Sequence, residues 1–305
     1  MEAKTLNRYI WLYDLLQKRG VLTFEQINKC WKESWLYDGK DLSKRTFQEH
    51  CKALSKLFGV EIKCIHAVGL GLGYLYQIKH STTGAPNSLM QWALDAFILE
   101  NKLEVGRNLI GRIQFESIPK GQEYLTNIID AMEKGVVLEV EYDSWGPRTA
   151  TYHIKPYALK VYRQRWYLLG MIKEYGELRH LSLDRFKELL ETDETFEMHE
   201  GFSVDTYYLN YVGIYVNHKL TPQQVKLRIY GKQVEYVRSL PLHRSQREVY
   251  SKYECCSDFT YQVCLTPDLT TQILSMGADV VVLEPNSLRQ EVQNHLKSAL
   301  ERYKM

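Results

Sequence analysis

Two sets of residues in this 305-residue chain have the types and spacing to hold anions. Lys155, Arg163, Arg165, Arg179 and Arg185 fall within thirty-one residues, interleaved with or beside Tyr152, His153 and Tyr167. Guanidinium and ammonium groups neutralise phosphates, and the rings among them offer stacking faces and hydrogen-bond donors suited to bases. The second set is Ser43, Lys44, Arg45, Gln48, Glu49 and Lys52, whose spacing puts them on one face of a helix. Ser43 is its N-cap, and Phe47, Cys51, Leu54 and Phe58 form the opposite, apolar face. Such a polar face can offer Arg and Gln to base edges while Lys52 and Lys56 meet phosphates. The plainer account makes both sets solvated surface. In it Trp166 and Leu168 belong to a core, and the arginines balance the acidic run Glu188 to Glu197.

Catalytic chemistry finds no comparable support. There is no GxSxG, no phosphate-binding GxxxxGK loop and no HExxH, and the glycines Gly69, Gly71 and Gly73 open a strand instead of a helix. The nine histidines are scattered, with His153 and His180 falling in one segment. Cys30, Cys51, Cys64, Cys255, Cys256 and Cys264 lie far apart or adjacent, with no CxxC and no His at zinc spacing. They read as reduced thiols in a cytoplasm. The expectation is a protein that is not an enzyme, with no catalytic residue, cofactor or metal.

The elements that must position these residues follow from pattern. With 45% hydrophobic and 25% charged residues, and 22 Tyr, 9 Phe and 6 Trp to bury, the chain is globular and not disordered. No run approaches the ~18 apolar residues of a membrane span, and the start leads into a charged helix and not a signal segment. The net charge of +2 hides two basic segments. Residues 1–80 hold 13 Lys+Arg against 8 Asp+Glu and residues 144–187 hold 9 against 3, whereas 81–132 hold 4 against 6. Two anionic partners, or one touched twice, are implied.

Residues 5–19 have helical spacing ending in Lys18-Arg19-Gly20, and Thr23 with Gln26 forms a capping box that opens a second helix. The Ser43 helix is the third. Alternation at 60–65 and 74–78 around the glycine turn then gives a hairpin, so residues 1–80 read as a winged helix-turn-helix. Ser81 to Ser88 is a linker by composition, and 81–132 is a helical segment rich in apolar residues (Leu89, Trp92, Phe97, Ile98) suited to dimerisation. Short strands with tight turns fill 133–200 as a small β-barrel. Residues 201–305 alternate strands and helices as an α/β sandwich, so the whole is an α+β multidomain chain. An uninterrupted strand from Arg179 would set Arg185 about 20 Å away on the same side at ~3.3 Å per residue. Arg163 and Arg165, two apart, would share a face and close the site from the adjacent strand.

Three ordered stretches carry a resemblance. Lys155-Pro156-Tyr157-Ala158-Leu159 is followed by Arg163-Gln164-Arg165-Trp166-Tyr167-Leu168-Leu169-Gly170, then by Arg179-His180-Leu181-Ser182-Leu183-Asp184-Arg185-Phe186. They resemble the WYL-domain family of bacterial transcription regulators. Trp166-Tyr167-Leu168 stands for the name-giving tripeptide, and Gly277 to Arg289 is similar to the end of the family's C-terminal extension. Gln48-Glu49-His50 stands where the family's recognition helix usually has an Arg-Asp pair. The resemblance implies an Sm-like (SH3-type) barrel that binds a nucleic-acid or nucleotide ligand and relays it to the DNA-binding domain. The function expected is thus a ligand-responsive regulator of transcription, a cytoplasmic homodimer on double-stranded DNA with no membrane partner. The alternative is an RNA- or single-strand-binding accessory protein whose winged helix docks other proteins.

Overall fold

The chain divides into two units, Met1–Glu116 and Ser117–Met305, in a computed structural model that describes residues 3–66, 73–79, 112, 120–145, 149–249 and 255–304. The 81–88 linker, the glycines Gly69 and Gly71, and the apolar set Leu89, Trp92, Phe97 and Ile98 lie outside the described residues.

The first unit begins with α1 (Ala3–Arg19), β1 (Leu22–Thr23) and α2 (Phe24–Lys32). The expected capping box is formed: Gln26 N donates to Thr23 Oγ1 at 3.2 Å and Thr23 N to Gln26 Oε1 at 2.9 Å. Each bond satisfies a donor the helix start would leave unpaired. Asn28 of α2 then fixes the next turn by accepting from Leu42 N at 2.9 Å, while Trp31 Nε1 donates to Lys40 O at 2.9 Å. Helix α3 (Lys44–Phe58) follows, capped by Ser43, which accepts from Thr46 N at 3.0 Å, and it ends at Gly59 with φ 65°. Strands β2 (Glu61–His66) and β3 (Tyr74–Lys79) form an antiparallel hairpin, and β1 pairs the other edge of β3. Phe47 is the hinge of the core, edge-on to Phe24 at 5.5 Å and to Tyr76 at 4.7 Å.

In the second unit α4 (Leu125–Lys134) buries Ile128 and Ala131 in the core of the sheet that follows. Sequence pattern alone assigns this helix to the 81–132 segment, but its apolar face meets that sheet. Gly135 at φ 67° turns the chain directly into β4 (Val136–Tyr142). Strands β5 (Ala150–Tyr162), β6 (Arg165–Ile172), β7 (Glu177–Ser182) and β8 (Phe186–Thr195) complete an antiparallel sheet in the order β7-β6-β5-β4-β8. Strand β5 runs through Pro156 because the ladder absorbs it by a register shift before Ala158. The acidic run is strand β8, whose Phe186 and Leu189 face the core while its carboxylates stay in water.

Residues 196–218, including α5 (Val204–Tyr207), cross the outer face of this sheet as an aromatic strap. Tyr157 stacks on Phe196 at 6.0 Å, and Tyr207 and Tyr208 pack around His180. Beyond it, β9 (Gln223–Tyr230), α6 (Gln233–Ser239), β10 (Arg247–Val249), β11 (Cys256–Val263), α7 (Pro267–Ser275), β12 (Val280–Glu284) and α8 (Asn286–Tyr303) make a βαββαβ unit with a last helix added. Its antiparallel sheet has the order β10-β11-β9-β12, and Val225, Leu227, Ile229, Phe259 and Tyr261 pack against Leu269, Ile273, Leu288 and Val292 of the helices. The chain is of the mixed helix and sheet class that the sequence implies.

Candidate functional site

In the first unit the expected face of α3 is present. Lys44, Arg45, Gln48, Glu49 and Lys52 are exposed, whereas Phe47, His50 and Leu54 are buried. Arg45 Nε donates to Glu49 Oε1 at 3.1 Å, and its side chain is 90% exposed. The Lys44 ammonium lies 5.9 Å from the Phe24 ring. A surface depression beside it is lined by Phe24, Glu25, Asn28, Lys29, Lys32 and Lys44. Lys32 is held by Asp41 at 2.9 Å. The His50 ring points inward, edge-on to Tyr9 at 5.1 Å; burial and the Arg8 charge push its pKa down to about 4. It is a neutral core residue and takes no part in the polar face.

In the second unit the structure sorts the eight sequence-predicted residues into separate places. Tyr152, Arg179 and Arg185 come together at one end of the core-facing side of the sheet, with three aromatic residues the sequence reading did not include. Arg179 Cζ lies 4.0 Å from the Tyr175 ring; Tyr175 is 5.9 Å from Tyr152, and Tyr152 is 6.1 Å from Tyr142. Arg185 Cζ lies 4.5 Å from Tyr142 and 4.9 Å from Trp145. The result is a row of cations and rings running Arg179, Tyr175, Tyr152, Tyr142, Arg185, Trp145 across the strands. Burial raises the pKa of Tyr152, the hydrogen bond with Tyr175 adds to this, and both arginines pull it back. Both guanidiniums therefore bear on one phenol.

The uninterrupted strand expected between Arg179 and Arg185 is not what forms. Leu183–Arg185 is a turn of 3-10 helix that breaks the extension. Each residue of the closing motif has a task there. Leu183 and Phe186 enter the core, Asp184 accepts from Ser182 Oγ and pairs with Arg165 at 3.1 Å, and Arg185 joins the row. Arg185 Nε donates to Asp143 O at 2.7 Å, but among the described residues the guanidinium has no carboxylate partner. Among the described residues Arg179 pairs only with the exposed Glu177, at 3.2 Å. The lysines Lys134 and Lys173, not the arginines, neutralise Glu191 and Glu194 of the acidic run.

The other five lie elsewhere. His153 is on the outer face of β5, held between Glu139 at 3.2 Å and Glu174 at 2.8 Å. Lys155 shares that face, acting on Glu194 together with His153 and Lys173. Arg163 and Gln164 are the central residues of the β5–β6 turn, with φ 47° and 65°, so Arg163 sits at a hairpin tip and not on a strand face with Arg165. Arg165 is committed to Asp184, and Tyr167 lies beside Ser182 and Asp184. Leu168 is fully buried and Trp166 packs half-buried against the same core. Charge and strand pattern do not single out Tyr142, Trp145 and Tyr175, because they lie at a strand end or in turns. Their signal is an aromatic residue beside turn chemistry, as in Asp143-Ser144-Trp145-Gly146-Pro147.

The opposite face of the sheet ties into the C-terminal unit. Lys160 Nζ donates to Gly213 O at 2.5 Å and lies 3.5 Å from the Tyr208 ring; burial pushes its pKa down to about 8. The next two amides, Ile214 N and Tyr215 N, donate to Asp268 Oδ2 at 2.9 and 2.8 Å. His180 Nε2 lies 2.5 Å from the Tyr208 hydroxyl, and burial with the Lys160 charge pushes its pKa down to about 4.

The family model of the WYL domain matches residues 123–190, and that of the WCX domain matches residues 221–300. The chain thus contains a WYL domain followed by a WCX domain. Among solved structures it is similar to proteasome accessory factor B/C (PafBC) of Arthrobacter aurescens, with 18% identity over 98% of this chain and 47% of that one and a TM-score of 0.41. A CRISPR Cas-related protein matches with 13% identity over 60% of this chain and 52% of that one, with a TM-score of 0.24. The chain spans about half the length of each. No curated protein matches it. Among the described residues, no helix is long and apolar enough to cross a membrane, and no cluster of His, Cys, Asp and Glu could hold a metal ion.

Proposed function

We infer that this protein is a non-enzymatic, ligand-responsive regulator of transcription in which α3 binds duplex DNA and the row on the WYL sheet receives an anionic nucleic-acid or nucleotide ligand. In this reading the first unit is a winged helix-turn-helix and the five-stranded sheet an Sm-like barrel. The protein acts as a cytoplasmic homodimer, since one recognition helix covers a single half-site. The observation that carries the ligand reading is Arg185. Its guanidinium is half-buried between two rings with no carboxylate among the described residues to neutralise it, so an incoming phosphate meets an unpaired cation. Arg179 adds a second cation whose exposed Glu177 partner is cheap to displace. For DNA, the support is the exposed face of α3, where Lys44, Arg45 and Lys52 outnumber Glu49.

The test is binding of the full chain to duplex fragments from around its own gene, measured against salt, with and without a short single-stranded oligonucleotide. The expected result is a salt-dependent duplex affinity that the oligonucleotide changes. No duplex binding at low salt, or an affinity that single strands never alter, would overturn the reading.

A further inference from the structure

Trp145 is the one member of the row that neither burial nor backbone preference explains. It is 77% exposed, so little is gained by covering its ring. Its φ is 61°, a left-handed conformation that a bulky side chain adopts at a cost. Glycine or asparagine would hold the same turn without that cost, and the turn's own bond, Trp145 N to Asp143 Oδ1 at 3.0 Å, uses only the backbone of residue 145. What the indole does contact is Arg185, whose guanidinium is clasped between Trp145 and Tyr142. One side of that cation is thus covered by a ring that stands largely in solvent at the outer end of the row.

We propose that Trp145 is a specificity-determining stacking platform: it receives a planar heteroaromatic base attached to the phosphate that Arg185 holds, so the effector is a base-bearing nucleic acid or nucleotide and not a bare polyanion. This rests on the anion-site reading of the row given above. An anion alone needs the two arginines. An exposed indole adds nothing for a phosphate, but its open face suits a base, and such a contact tolerates any of the four. Tyr175, 49% exposed at the other end beside Arg179, gives the row a second ring of the same kind.

The experiment compares two probes on the full chain, a short single-stranded DNA and an abasic phosphodiester of the same length and charge. The variants are Trp145→Ala, Trp145→Phe and Arg179→Ala/Arg185→Ala. The wild type is expected to prefer the base-bearing probe about tenfold, of the order that one base stacked on one ring contributes. In Trp145→Ala this ratio should fall to near one, and Trp145→Phe should retain most of it. The melting temperature of Trp145→Ala should stay close to that of the wild type, because Ala keeps the same left-handed backbone and only a largely exposed ring is removed. A wild-type ratio near one, with both probes weakened in the double arginine variant, would overturn the stacking role and leave the anion site standing. If the wild type binds neither probe, or the arginine variant weakens neither, the ligand reading and this inference fall together.

Discussion

Replacing Arg45 and Lys52 of α3 by Ala tests the duplex reading with a number attached. Both side chains are exposed and neither contributes to the core around Phe47, and Ala is the best helix former, so the melting temperature should not fall. Each phosphate contact contributes about 0.9 to the slope of log affinity against log salt on B-form DNA, so loss of two lowers the slope by about 1.8. Between 200 and 50 mM salt the gap between wild type and variant should therefore widen by roughly twelvefold. The pair Arg45–Glu49, 3.1 Å apart and open to water, sets the opposite case. It contributes at most about 1 kcal/mol, so phosphate displaces Glu49 readily, and Glu49→Gln should tighten duplex binding a few-fold. The assay is fluorescence anisotropy on a labelled duplex at several salt concentrations, with melting curves alongside. An unchanged slope in a double variant that melts like the wild type would refute the placement of α3 against DNA.

The remaining expectations concern the scaffold. His50 has a folded pKa of about 4 against 6.5 for the free side chain, so the unfolded chain binds the extra proton. Stability is full above about pH 6.5 and is lost as the pH falls toward 4, by up to about 3 kcal/mol. Urea unfolding of wild type against His50→Phe should show the variant with the flatter dependence in that window, and parallel profiles would defeat the argument. A Cβ on Gly121 would stand 2.4 Å from the Leu183 backbone at φ 109°, whereas one on Gly59, at φ 65°, meets nothing within 4 Å. Gly121→Ala should therefore lower the melting temperature more than Gly59→Ala, whose cost is the left-handed backbone alone, about 1 kcal/mol. Arg179→Ala should weaken binding of a single-stranded oligonucleotide while His153→Ala does not, because the His153 ring is on the far side of β5; equal effects would disprove that division.

How legible the molecule was in its sequence depended on whether a pattern was local. The cap at Thr23 and Gln26, the polar face beginning at Lys44 and the βαββαβ alternation after residue 223 are short-range signals, and each reading matches the structure. Strand β8 was hidden because Lys187, Glu188, Glu191, Asp193 and Glu194 obscure the alternation of its few core residues. The row of cations and rings was half legible. Charge density found Arg179 and Arg185, but which basic residues converge depends on sheet faces and on the turn at Leu183–Arg185. One residue of register separates Tyr152 from His153, and that step decides which side of the sheet each occupies. Lys160 went unnoticed because its partners, Gly213 and Tyr208, are about fifty residues away in the strap.

Strand β5 carries Tyr152 near one end and Lys160 near the other, on opposite faces of one continuous strand whose ladder shifts register at Pro156. Neither face is spare: one is core and row, the other lies under the strap. Substitutions along this strand therefore meet packing constraints on both sides, whereas Trp145 and Tyr175 stand in connecting turns with largely open rings. On the ligand reading proposed above, exchanging these two terminal residues would change what is recognised while leaving the inherited frame and its link to the C-terminal sheet untouched.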